Sequence, residues 1–406
     1  MAVMEYKPLG QLLRRSPRYG INAAAVPLAP GVATYIRITD IDDSGTFAPD
    51  PKVGVEHANA ANYRLSAGEL VFARTGASVG KSYLYNPHDG ELVYAGFLIN
   101  IAPNPKQLNP KYLSLFVQTK EYWDWIARTS VRSGQPGVNG REYAQLQVPL
   151  PDIATQDAIA NAMNDVDKLI ATLERMVAKK QAIKQGMVQQ LLTGKTRLPG
   201  FTKTWSTTTL GSLGTFLKGR GVKRDDVRST GVPCMRYGEL YTVFHDYTAK
   251  VTSFVSPDVA ATALPLRTGD LLFAGSGETR DEIGKCVAYV GPTPAVAGGD
   301  VIVLRGTQCN SIYLALLANT PEVVRQKARA GQGDAVVHIY SHSLAAIEVK
   351  LPPPAEQDAI TRVLVDADRE ISRLRHRLAK ARDVKQGMMQ QLLSGRTRLL
   401  AKEGAA

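Results

Sequence analysis

The segment 150–198 occurs twice in this chain. It returns as 351–399 without a gap: Gln156 aligns with Gln357, Gly186 with Gly387 and Gly194 with Gly395, a constant shift of 201 residues (357 − 156). About half of the aligned positions are identical, which marks an internal repeat and not a shared composition. Ile159, Met163, Val166, Ile170, Leu173 and Val177 alternate steps of four and three, as do Ile360, Leu364, Ala367, Ile371, Leu374 and Leu378. Such spacing is the apolar seam of a coiled coil. Gln156-Asp157 and Glu356-Gln357-Asp358 put amide and acid groups in the first turn, while Gly194 and Gly395 stand where a left-handed residue closes a helix. A helix over 154–193 would rise roughly 60 Å, long enough to act as a spacer. Two amphipathic helices packed separately on their neighbours is the alternative; a seam this regular in both copies favours packing of one helix on the other.

The remaining chain matches itself at the same shift. Leu9-Gly10-Gln11-Leu12 returns as Leu210-Gly211-Ser212-Leu213, Gly68-Glu69-Leu70-Val71-Phe72-Ala73 as Gly269-Asp270-Leu271-Leu272-Phe273-Ala274, and Tyr112-Leu113 as Tyr313-Leu314. The organisation is therefore globular unit 1–149, helix 150–198, globular unit 199–350, then helix and tail 351–406. Strand composition falls at 34–38, 69–73, 79–85, 98–102 and 145–150, and helical composition at 110–119 and 121–129. The second unit repeats the order with strands at 270–274, 285–290, 301–304 and 347–351 and helices at 311–319 and 321–330. Each unit reads as a small mixed α/β domain, and the two diverge far more than the helices do. Divergent modules on a repeated frame suggest two versions of one task.

The 406 residues carry a formal net charge of +12 and a pI of about 9.5, which favours a polyanionic partner. Three scattered cysteines, Cys234, Cys286 and Cys309, argue against a zinc site or a disulfide framework and for a reducing compartment. With no apolar run of 18 residues and no signal-like start, a cytoplasmic location without membrane contact is expected.

Catalytic signatures fail on inspection. The stretch Gly76-Ala-Ser-Val-Gly80-Lys81-Ser82 resembles a phosphate-binding P-loop but has three residues between its glycines where four are required. In its repeat, six residues separate Gly277 from Gly284, and Cys286 replaces the hydroxyl that would hold Mg²⁺. A glycine-rich hairpin loop explains both better than an ATP site. The histidines His57, His88, His245, His338, His342 and His376 lack metal-ligand spacing; His338 and His342 read as surface or loop residues. Neither a nucleophile elbow nor the tetrapeptide and cofactor loop of an adenine methyltransferase is present.

What remains is a pair of polar, glycine-bearing loops at matched places. Loop one spans 74–81 in the first unit and 275–285 in the second; loop two spans 132–139 and 329–334. Glycine lets backbone N–H groups approach phosphates, and the accompanying Arg, Lys, Ser, Thr and Glu side chains can read base edges. A solvated turn explains any one such loop; matched loops on two divergent units of a basic chain weaken that explanation. Candidate DNA-contacting residues are Arg37, Arg74, Thr75, Ser78, Lys81, Arg132 and Gln135 in the first unit, and Arg236, Ser276, Glu278, Thr279, Arg280, Lys285 and Gln332 in the second.

The duplicated Lys-Gln-Gly-Met-(Val/Met)-Gln-Gln-Leu-Leu-(Thr/Ser)-Gly-(Lys/Arg)-Thr-Arg-Leu, the Leu-Pro…Gln-Asp-Ala-Ile helix starts and the Gly-(Glu/Asp)-Leu-(Val/Leu)-Phe-Ala…Gly-Lys hairpins together resemble the specificity subunit of type I restriction-modification enzymes. The match spans nearly the whole chain, with the repeated helix as its most specific part. The resemblance implies an α+β fold in which two target-recognition domains, each reading half of a bipartite double-stranded DNA target, are held apart by two long antiparallel coiled-coil helices. It also implies no cofactor in this chain and no catalysis by it: S-adenosylmethionine belongs to two modification (methyltransferase) subunits, and ATP and Mg²⁺ to restriction subunits. The competing readings are a coiled-coil scaffold that never touches DNA and an ATP-dependent enzyme, which the P-loop misfit disfavours.

Overall fold

A computed structural model describes residues 5–292, 294–333 and 335–393. The closing Gly395, the Thr-Arg-Leu end of the second repeat and the tail to 406 lie outside the described residues, as does Asp334 of loop two. Contacts divide the chain into two units, one comprising Met1–Glu174 with His376–Ala406 and the other Arg175–Arg375. Each unit therefore contains one globular module, the start of the long helix that follows it and the end of the other long helix.

In the first unit, the strands Arg18–Tyr19, Leu98–Ile101, Leu70–Ala73 and Ser82–Leu84 form an antiparallel sheet in that order. A second sheet has the order Val26–Pro27, Val53–Val55, Ala33–Ile36, Leu92–Tyr94, its last pair parallel. Tyr6–Pro8 pairs with Gln147–Pro149, which ties the start of the module to the point where the long helix begins. Helices Pro110–Phe116 and Lys120–Thr129 bury Leu113, Phe116, Tyr122 and Ile126 against Leu70, Phe72, Ile99 and Ile101. The second unit repeats this plan. Leu271–Ala274 lies between Val301–Arg305 and Cys286–Tyr289, and Val232–Met235 between Ser253–Val255 and Val296–Ala297. The helices of this unit are Ser311–Ala318 and Pro321–Ala330. Strands 79–85 and 285–290 expected from sequence are shorter, and each begins after a bulge: Gly80 and Gly284 adopt positive φ (89° and 70°), so that Gly80 and Lys81 both bond Ala73, and Gly284 and Lys285 both bond Ala274.

The long helices are unbroken over Ile153–Leu191 and Pro354–Leu393. Within each unit they run antiparallel along the seam read from sequence, with Ile159, Met163, Leu173 and Val177, and Ile360, Leu364, Ile371 and Leu374 buried. Lysines enter the seam where the apolar register lapses. Lys184 meets Asp368 at 2.6 Å in one unit, and Lys385 meets Asp167 at 2.8 Å in the other. These are the same pair under the repeat, since Asp167 aligns with Asp368 and Lys184 with Lys385. Polar residues in such a seam favour one register over its neighbours.

Two parts of the repeated motif gain a physical reason. Gln156 and Gln357 are buried and fasten helix to module: the side-chain oxygens accept from the backbone N–H of Asn109 (2.9 Å) and Asn310 (3.0 Å), and the amides donate to the carbonyls of Pro151 and Pro352. Asp157 and Asp358 take the amides of the same asparagines. Leu392-Leu393 packs into the first module's core, while Leu191-Leu192 joins the second module's core with Trp205, Ile360 and Leu364. At the end of the first helix Gly194 takes the expected left-handed conformation (φ 68°) and lies against Trp205. Arg197 then forms a two-point ion pair with the buried Glu356, which also accepts from Trp205 Nε1 at 3.2 Å.

Candidate nucleic-acid interface

Loops one and two come together in each module. In the first, Gly76 N–H donates to Pro136 O at 3.0 Å, Val138 N–H to Arg74 O at 2.9 Å and Thr75 Oγ1 to Pro136 O at 3.3 Å. In the second, Ser276–Gly277 pairs antiparallel with Val337–His338, just beyond loop two. Ile339 N–H donates to Gly275 O at 2.9 Å, and the Arg280 guanidinium donates to the carbonyls of Gly331 and Gly333, each at 3.3 Å. A strand follows loop one in both modules, whereas a phosphate-binding P-loop runs into a helix N-terminus, so the glycines here serve a ridge of two joined loops.

The rear of loop one is hooked by different chemistry in the two modules. Tyr122 donates its hydroxyl proton to Gly80 O at 2.7 Å; in the second module the buried Lys327 donates from Nζ to Gly284 O at 2.6 Å. Ile126 aligns with Lys327. Burial lowers the Lys327 ammonium pKa to about 8, with Lys285 adding to the fall and Cys286 opposing it. Folded Lys327 thus releases its proton near pH 8, while an unfolded lysine keeps it to about 10.5. Unfolding takes up a proton between these values, so the module's stability should rise with pH across that window. Lys327→Met should remove this rise. Chemical denaturation of both proteins at pH 7 and pH 10 checks it, since parallel changes would show Lys327 to be no source of the slope.

The other candidates divide by what already holds them. Arg37 makes two side-chain bonds to the buried Asp40, at 3.0 and 2.7 Å, and this pairing raises the guanidinium pKa. Its counterpart Arg236 is held less firmly. Nε lies 3.5 Å from Glu239, whose carboxylate already accepts from Thr252, Ser253 and Arg236's own N–H. Lys81 pairs with the exposed Asp43 at 2.7 Å, and Arg132 with Glu142 at 2.7 Å while also donating to the carbonyls of Thr129 and Val131. Arg74 lies over the Tyr19 ring at 5.0 Å. Gln135 covers Gly76 from the exposed side of loop two, and Gln332 is exposed at the matching place. Ser78 is half-buried in the turn Gly76–Ser78, and Ser276 is buried with Oγ 3.0 Å from His338 Nδ1. Glu278 and Thr279 are exposed at the tip of loop one, where Thr279 donates to Glu282. Lys285 is half-buried, with no ion pair or hydrogen bond among the described residues.

Sequence reasoning did not single out Tyr19, Phe97, Tyr122 or Lys327. Tyr19 carries Arg74 and accepts from Gly140 N–H at 3.1 Å; Phe97 is 56% exposed beside loop one. The available signal was Phe97 standing between a glycine and a buried strand. His338 lies in the short strand beside loop one, and His342 stacks on Tyr340. Burial pushes the Cys234 and Cys286 thiols up to about 12, far from a reactive range. Among the described residues no three His, Cys, Asp or Glu side chains cluster as metal ligands, and no helix is long and apolar enough to cross a membrane.

Residues 26–185 match the family model described as the type I restriction modification DNA specificity domain. Two chains of Methanocaldococcus jannaschii extend the similarity across the modules and helices. The MjaX type I restriction enzyme specificity subunit is 23% identical, with 85% of this chain and 82% of that one covered; the MjaVIII specificity subunit is 21% identical, with 82% and 80% covered. Over most of its length the chain is similar to type I restriction enzyme specificity subunits. The same fold is found in the HsdS subunit of Thermoanaerobacter tengcongensis (TM-score 0.54, 16% identity, 98% of each chain covered). It is found again in the S subunit of M. genitalium (TM-score 0.59, 12% identity, 97% of each covered).

Proposed function

We propose that the two modules each read one half of a bipartite double-stranded DNA target through the ridge of loops one and two. One observation carries this reading: the same pair of loops is joined, and hooked from behind, on two modules whose sequences have otherwise diverged. A fixed ridge with variable side chains can change the bases read without changing the fold. The chain would bring two modification subunits, which hold S-adenosylmethionine, to that target, and restriction subunits supplied with ATP and Mg²⁺ would act from the same platform. It would hold no cofactor of its own and work in the cytoplasm.

Replacing Arg74, Lys81, Arg280 or Lys285 by Ala tests the ridge in the complex with its modification subunits. A phosphate contact should weaken binding to all sequences and reduce the salt slope by about one, whereas a base contact should cost roughly 1–3 kcal/mol at a single position. Lys81 need only leave the exposed Asp43, an exchange of small cost. Unchanged binding in all four variants would remove the ridge from the interface. Absence of any sequence-specific binding by the wild-type complex would favour a scaffold that never touches DNA.

A further inference from the structure

We propose that Asp300 reads a base edge, accepting a hydrogen bond from the exocyclic amino group of a cytosine or adenine. The proposal rests on the DNA-reading function above and assigns one residue of the second module a base.

Asp300 ends the Gly298-Gly299-Asp300 turn that leads into Val301–Arg305, and its carbonyl accepts from Gly275 N–H, the first residue of loop one, at 2.7 Å. In the first module, Arg74 N–H donates to Phe97 O at 3.0 Å in the same way, just before Leu98–Ile101. Phe97 and Asp300 therefore occupy one structural position, beside the ridge, and both are exposed. One module presents a large apolar ring there and the other a carboxylate. A position tied by the same backbone hydrogen bond and opposed in chemistry is where two readers of different sequences should differ.

Two features of Asp300 point to a ligand. It is the one residue other than glycine with positive φ (58°) among the described residues, a conformation that L side chains adopt at a cost. Asp300 lines a groove of about 610 Å³ with Lys223, Arg224, Arg236, Tyr237 and Glu239, yet its carboxylate makes no ion pair or hydrogen bond among the described residues. Cations in such a groove suit DNA phosphates. A carboxylate is repelled by them, and its use at DNA is to accept from a base amino group.

The test is selection from randomised DNA by the chain assembled with its modification subunits, comparing wild type with D300G and D300N. Glycine adopts a φ of 58° without strain, and Asn tolerates it, so neither variant should disturb the turn. D300G should lose about tenfold to a hundredfold discrimination at one position of one half-site and keep the rest. D300N should alter the preferred base at that same position and at no other. Equal selectivity of D300G and wild type at every position would overturn the assignment, as would a uniform loss of affinity for all sequences. A wild-type complex with no sequence preference would instead overturn the DNA-reading function, and this proposal with it.

Discussion

Adding four residues to each long helix, between Glu174 and Arg175 and between Arg375 and His376, should yield a complex that keeps both half-site sequences but acts only where the gap between them is longer by one or two base pairs. Four residues lengthen a helix by about 6 Å and overshoot a turn by about 40°. On DNA, 6 Å is between one and two base pairs at about 3.4 Å each, and these rotate the groove by roughly 35–70° at about 10 pairs per turn. Distance and rotation change together, so the lengthened chain can still engage both half-sites. The structure decides where the insertion goes. At Leu192-Thr193-Gly194 it would draw Leu191 and Leu192 from the second module's core and Gly194 from Trp205. At the middle of both helices it leaves the Lys184–Asp368 and Lys385–Asp167 pairs intact and adds only a local four-residue stutter to the seam. Mapping methylated sites across a genome reads the gap directly, and full activity at the original gap would show that the helices do not set it.

Exchanging the second module for that of a similar specificity subunit should replace one half-site completely and leave the other untouched. Each mismatched pair costs roughly 1–3 kcal/mol, so a wholly new half-site moves affinity by orders of magnitude. Success depends on the joins. The second module's core includes Leu191, Leu192, Trp205, Ile360 and Leu364, and Glu356 binds both Arg197 and Trp205, so an exchange of 199–350 must bring in a Trp at position 205. Without it, the buried Glu356 loses a donor and the chimera should be destabilised. A methylation pattern in which both half-sites change together would contradict independent reading by two modules.

The duplication and the seam were legible because they are periodic: identity at a constant shift, and apolar residues at steps of three and four, survive divergence elsewhere. The loops were legible as glycine-bearing stretches at matched places. Their union was not, because backbone bonds such as Gly76 N–H to Pro136 O leave no trace in side-chain identity. Gln156 and Gln357 read as ordinary first-turn amides until the module helix each fastens is in view. The seam read from sequence stops at Val177 and Leu378, short of Lys184 and Lys385, since a lysine that pairs across a helix interface cannot be told by spacing from one facing solvent. The hook behind loop one was hidden for a related reason, the task having passed from Tyr122 to Lys327, at a position that does not align with it. Arg37 and Arg236 show the limit of composition: the same residue type opens the same turn, but one is bound to Asp40 and the other only loosely held by Glu239.

The most direct measurement is the methylation map of a genome that carries this chain with its modification subunits. Two modules with matched ridges predict methylated sites defined by two short, dissimilar sequences separated by a gap of fixed length and free sequence. Methylation at one contiguous sequence, or at two half-sites with no fixed gap, would contradict two readers on one frame.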